Sequence, residues 1–240
     1  IRDSYFKGNI IGETSFIGGL AGLYTGNILE NSFSQGTITV NNPTPLAYIG
    51  GLVGFTTNNS AEFTRLYSQA NVTIANGTAD YVGGLFGRLN GSFITESYYN
   101  GTIAGARNQV GGLAGNSSAD ISLSYTQANI DASLRYVGGL VGYGNQINIT
   151  DNFSHSNLSA KADTGGLVGY YNGDGFSLAR NYYIGTITKK VDASFPESSF
   201  GNIYGAKSAS PTVQDNFYMN TNQFVDTDTN DITENTEGVA

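Results

Sequence analysis

Apolar and polar residues alternate along this chain in short bursts, never over long spans. Residues 97–103 read Ser-Tyr-Tyr-Asn-Gly-Thr-Ile, and residues 136–144 read Tyr-Val-Gly-Gly-Leu-Val-Gly-Tyr-Gly. Such stretches have a period of two, are rich in Ile, Val, Tyr and Thr, and are bounded by Gly, Asn and Ser. That pattern predicts strands of a few residues joined by tight turns. No window carries a sustained apolar stripe with the helical period of 3.6, so the expected fold class is all-β.

The bursts recur. A glycine motif appears as IGGLAG (17–22), IGGLVG (49–54), VGGLFG (82–87), VGGLAG (110–115), VGGLVG (137–142) and TGGLVG (164–169), with a worn copy, FGNIYG, at 200–205. Between these lies a second motif: SYFKGNI (4–10), SFSQGTI (32–38), LYSQANV (66–72), SYYNGTI (97–103), SYTQANI (124–130), NFSHSNL (152–158), NYYIGTI (181–187) and NFYMNTN (216–222). Successive glycine motifs stand 27 to 36 residues apart.

A unit of that length, made of two or three short strands, cannot bury its apolar face alone and must stack on its neighbours. The expected architecture is a right-handed parallel β-helix of about eight coils over residues 1–225, followed by an acidic tail or linker at 226–240. At about 4.8 Å per coil this is a rod of about 40 Å. A β-propeller is the alternative, but its four-stranded blades need about 40 residues each. All four prolines (Pro43, Pro45, Pro196, Pro211) fall in the longer stretches between motifs. Those stretches are expected to be loops, because proline cannot donate to a strand ladder.

Recurrence also suggests what each position does. The paired glycines are expected at corners, where positive φ or close backbone approach excludes other residues. Leu20, Leu52, Leu85, Leu113, Leu140 and Leu167, with Ile203 in the worn copy, are expected to point inward and stack on one another. The aromatic row Tyr5, Phe33, Tyr67, Tyr98, Tyr125, Phe153, Tyr182 and Phe217 is expected to stack as well, buried on the plainer reading. Parity opposes burial: the Ile or Val five residues later, as in Tyr98 and Ile103, is out of phase with the aromatic. An exterior row would suit sugar stacking. Four residues after each aromatic stands Asn or Thr (Asn9, Thr37, Asn71, Thr102, Asn129, Asn157, Thr186, Thr221), which predicts a polar ladder. An ice-binding face would need Thr throughout.

Charge narrows the partners. Only 12% of the residues are charged and the net charge is −8. Five of the 19 acids lie beyond Val225, and no Lys or Arg follows Lys207. No basic stripe exists to neutralise phosphates, so nucleic acid is not an expected partner. No apolar run approaches the about 18 residues of a membrane span, so no membrane insertion is expected of this segment. The chain opens in the middle of a repeat, and the sequence reads as a fragment of something longer. Cysteine is absent, which excludes disulfides and thiolate metal sites.

Candidate chemistry is sparse. His155 is the single histidine and occupies a position filled elsewhere by Lys7, Gln35, Gln69, Asn100 and Gln127. Scattered acids such as Glu30, Asp151 and Asp215 alternate with Arg65 and Arg180 at one corner, and no catalytic residue is assigned. The expectation is a non-enzyme without cofactor. One metal candidate stands out: Asp226, Asp228, Asn230 and Glu237 fall at positions 1, 3, 5 and 12 of a calcium loop, with Asp231 where glycine is usual. Asn-x-Ser/Thr sequons occur at Asn58, Asn71, Asn76, Asn90, Asn100, Asn116, Asn148, Asn152 and Asn157, candidate N-glycosylation sites in a host that uses them.

With GGLAG, GGLVG and GGLFG interleaved by the second motif, the chain resembles GLUG-repeat proteins over about residues 1–222. That resemblance implies a parallel β-helix without catalytic residues. It also implies a bacterial or archaeal surface protein, an adhesin or the non-catalytic region of an IgA-cleaving metallopeptidase. The expected function is a structural or adhesive repeat region, extracellular or on the cell surface. It would present a surface to a glycan or protein ligand, or join copies of itself in a filament. The alternatives are a carbohydrate-binding or carbohydrate-processing β-helix, or the stalk module of a secreted peptidase.

Overall fold

The computed structural model describes residues 1–219 and 238–239, except residues 14, 42, 175–176, 192–198 and 209–210. Its only helical element among these is the 3₁₀ turn Ala75–Gly77; the rest of the regular structure is β. Every named strand pairing is parallel. The chain winds as a parallel β-solenoid, each coil contributing four legs.

The aromatic leg runs through residues 5–12, 33–40, 67–74, 98–104, 125–131 and 153–159, in register from one coil to the next. The first glycine leg stacks residues 16–18, 48–50, 81–83, 110–111, 137–138, 164–165 and 200–201. The second glycine leg forms its own seven-stranded sheet, from Ala21–Tyr24 to Tyr204–Lys207. A return leg, residues 28–30, 62–64, 93–95, 120–122, 149–150, 177–179 and 212–214, closes each coil. Seven strands enclose six full turns and eight aromatics enclose seven. The molecule therefore has six to seven turns, slightly fewer than the eight expected, because the motif copies are rungs rather than intervals.

Leucine makes the core columnar. Leu52, Leu85, Leu113, Leu140 and Leu167 are fully buried, and Leu20 in the first coil is half-buried. Their amides bond straight along the axis: Leu20 N to Leu52 O (2.8 Å), Leu52 N to Leu85 O (3.0 Å), Leu113 N to Leu140 O (2.8 Å) and Leu167 N to Ile203 O (3.0 Å). Columns of Ile17, Ile49, Val82, Val110 and Val137, and of Ile38, Val72, Ile103, Ile130 and Leu158, fill the rest.

The paired glycines work by close approach, not by positive φ. A Cβ on Gly84 would lie 2.2 Å from the Gly112 carbonyl oxygen and 2.2 Å from the Tyr99 ring. The second glycine of each pair faces, across the core, the residue after the aromatic: Ser34, Ser68, Tyr99, Thr126, Ser154 or Tyr183. The solenoid is thin there, and only a residue without a side chain lets the two walls meet.

Positive φ occurs at another corner, two residues before each aromatic. Asp3, Asn31, Arg65, Glu96, Leu123, Asp151, Arg180 and Asp215 all have φ between 48° and 62°. Glu30 lies one residue before that column, on the return leg. Pro43, Pro45 and Pro211 lie outside the strands, as expected, and Pro196 lies outside the described residues. The boundary at 225/226 also lies outside them.

Candidate functional site

The aromatic leg alternates strictly. In the second coil Ser34, Ile38 and Val40 point into the core, while Phe33, Gln35 and Thr37 point out. The aromatic row is thus on the exterior, and the expectation of burial is corrected: Tyr5 is 66% exposed, Tyr125 42% and Phe217 45%. Register explains it, since five residues separate each aromatic from its buried Ile or Val.

The rings nonetheless shield one another. Ring centroids are 5.2 Å apart for Tyr5–Phe33, 4.5 Å for Phe33–Tyr67, 5.0 Å for Tyr67–Tyr98 and 4.8 Å for Tyr98–Tyr125, with interplanar angles of 4° to 12°. Phe153 stacks on Tyr182 at 5.5 Å. Within the stack the faces are covered and the edges meet solvent. Partial burial among neighbouring phenols raises the Tyr98 pKa. Phe33, Tyr67 and Tyr98 are covered on both faces and offer a sugar no open ring, whereas Tyr125 stacks on Tyr98 alone and Phe153 on Tyr182 alone.

Four residues on, the Asn/Thr row forms the expected polar ladder. Thr37 Oγ1 donates to Asn9 Oδ1 (2.8 Å), Thr102 Oγ1 to Asn71 Oδ1 (3.0 Å), Asn157 Nδ2 to Asn129 Oδ1 (2.9 Å) and Thr186 Oγ1 to Asn157 Oδ1 (2.9 Å). Thr221 lies outside the described residues. Between ladder and rings runs the row of Gln69, Asn100, Gln127 and His155. With Asn71, Thr102, Asn129 and Asn157 these four line an open trough of about 530 Å³, and no acid, lysine or arginine lines it. His155, read as a drifting surface residue, is exposed and belongs to this trough.

Two further ladders frame the face. At the positive-φ corner, Arg65 reaches Glu30 (3.6 Å) and Glu96 (3.9 Å), and Arg180 grips Asp151 through two bonds of 2.7 Å. That guanidinium holds the exposed Asp151 carboxyl below its ordinary range. Just inside the corner stand Ser4, Ser32, Ser97, Ser124, Asn152, Asn181 and Asn216. Each accepts from, or donates to, backbone in its own or an adjacent coil. Ser124 N bonds Asn152 Oδ1 (3.0 Å), Asn152 N bonds Asn181 Oδ1 (3.0 Å) and Asn181 N bonds Asn216 Oδ1 (2.9 Å). The sequence signal was the first letter of each copy of the second motif, Ser or Asn in seven of eight, with Leu66 the exception.

A third feature was not foreseen. Residues flanking the glycines on both legs meet outside the elbow: Tyr48 stacks on Phe55 (4.9 Å) and Tyr81 (4.8 Å), Tyr143 stacks on Tyr170 (5.2 Å), and Arg88 lies over Phe55 (5.4 Å). Its signal was an aromatic one residue before the pre-glycine position in Phe16, Tyr48, Tyr81 and Tyr136.

The sequons divide by accessibility. Asn152 is buried and committed to the inner ladder, so a glycan there is incompatible with the fold. The amides of Asn58, Asn116, Asn148 and Asn157 donate to neighbouring side chains, and the side-chain oxygens of Asn71 and Asn90 accept from Thr102 and Ser118. Asn76 sits at positive φ (71°) in the 3₁₀ turn. Asn100 is exposed in the trough. The calcium candidate Asp226, Asp228, Asn230 and Glu237 lies outside the described residues. No group of three or more His, Cys, Asp or Glu able to hold a metal occurs among those described.

The chain is similar to part of an immunoglobulin A1 protease. The match to that protein from Streptococcus pneumoniae serotype 4 is 29% identical over 165 residues, and a second Streptococcus pneumoniae immunoglobulin A1 protease is 30% identical over 155 residues. These alignments cover 64% and 60% of this chain but 8% of each relative. No protein-family model matches the chain, and no solved structure matches it. No helix among the described residues is long and apolar enough to cross a membrane.

Proposed function

We propose that the chain is a rigid, non-catalytic spacer within a larger secreted bacterial protein of the IgA1-protease kind, built of GLUG-type repeats and working outside the cell. The observation that supports this best is the shared register of the aromatic column from the first coil to the last, with register shifts only beyond it, between Ala104 and Asn108. Each coil packs only on its neighbours, so the stack is stiff along its axis and extends by about 4.8 Å per added coil. Such a module sets a distance and offers a long side wall to a ligand. The similarity to segments of two immunoglobulin A1 proteases agrees with a repeat region of such a protein.

Chemistry is assigned to parts of the parent molecule other than this one, because the acids along the wall are separated or held in ion pairs with arginines and lysines. Incubating the isolated chain with immunoglobulin A1 is the direct test. Intact substrate after prolonged exposure is expected. Cleavage abolished by changing one acidic residue of this chain would overturn the reading.

A further inference from the structure

We infer that the trough on the aromatic leg is a binding site for a neutral, linear saccharide lying along the solenoid axis. This deepens the spacer reading by giving its side wall a ligand class, and it stands or falls separately from the rod itself.

Four side chains carry the inference. Gln69, Asn100, Gln127 and His155 stand at equivalent positions of four successive coils, in register along the axis. Their side chains form no hydrogen bond with any other described residue, although all four line one concavity. The row beside them is already bonded along the axis, Asn71 with Thr102 and Asn129 with Asn157. The trough therefore pairs a pre-ordered wall with a line of open donors and acceptors. Each amide offers both functions, as does a neutral imidazole. A volume of about 530 Å³ falls within the usual range of ligand clefts.

The chemistry selects the occupant. A ligand with hydroxyls that both donate and accept, repeating at about the 4.8 Å rung spacing, would meet one open side chain per unit. One hexopyranose of an extended chain is about one rung long. Nothing in the lining would neutralise a phosphate or carboxylate polymer, and the chain's net charge is −8. An extended peptide binds most readily by adding to an open strand edge, whereas strand edges at the trough are paired on both sides. Because the adjoining rings from Tyr67 to Tyr125 cover one another's faces, recognition proceeds chiefly by hydrogen bonds, and affinity is modest.

The test titrates the whole chain, isotopically labelled for NMR, with cellohexaose, laminarihexaose, maltohexaose and chitohexaose, each to about 10 mM. At least one is expected to bind with a Kd of about 0.1–1 mM, shifting the backbone signals of Gln69, Asn100, Gln127 and His155. The double variant Asn100→Ala, Gln127→Ala should weaken that binding about tenfold or more while leaving the circular dichroism unchanged. Tyr143→Ala, on the elbow strip, should leave it intact. The proposal fails if none of the four binds, if the double variant binds as well as the parent, or if the shifts map elsewhere. It also fails if polygalacturonate or an extended peptide binds the trough in place of neutral sugars. Any of these results leaves the spacer reading to its own test.

Discussion

At the residue scale the fold is held by positions that tolerate one chemistry each. Gly84→Ala places a methyl against the Gly112 carbonyl and the Tyr99 ring. Overpacking of this kind costs about 1–3 kcal/mol or more, read as a lower urea midpoint. Asn181→Ala leaves a buried backbone amide of its neighbour coil unpaired and should cost about 1–3 kcal/mol. Tyr99 and Tyr171 are buried with their hydroxyls bonded to backbone carbonyls, Tyr99 to Ala70 at 3.0 Å and Tyr171 to Ile147. Burial raises both phenol pKa values well above the ordinary value near 10. The unfolded chain therefore releases these protons first, so their contribution to stability is complete below about pH 10 and is lost as pH rises further. An ultraviolet titration should show these two tyrosines ionising only together with loss of β-structure. Glycine and leucine were legible because they repeat unchanged in six copies, only the worn copy at 200–205 departing. The inner Asn and Ser ladder was not, because those residues are equally at home in exposed turns.

At the scale of the element, the aromatic leg shows what periodicity can and cannot decide. The recurrence of Tyr and Phe was plain, and so was their parity against Ile103 and its equivalents. Direction was harder, because large aromatics are commonly at least partly buried, and here stacking on one another removes much of that demand. Truncation separates the two roles. Tyr98→Ala breaks two ring contacts on the outside and should cost about 0.5–1.5 kcal/mol for each lost stack. Ile103→Ala, five residues on and fully buried, should cost about 2–5 kcal/mol. Urea denaturation of both variants checks the order. The elbow strip escaped notice because its partners, such as Tyr48 and Phe55, come from two legs whose meeting depends on the angle at the glycines, which alternation along either leg does not encode.

For the whole molecule the central claim is that one repeat makes one turn of a straight stack. The number of motif copies gave the turn count to within one or two, and the calcium pattern beyond Val225 lies outside the described residues. The absence of cysteine permits paired nitroxide labels at chosen sites without background. Labels at Gln35 and His155 are four rungs apart, and labels at Lys7 and Ile184 are six. Pulsed electron spin resonance should give mean separations near about 19 Å and 29 Å, a linear increase of about 4.8 Å per rung. Separations that level off, or that fall as more repeats intervene, would contradict the stacked-coil architecture.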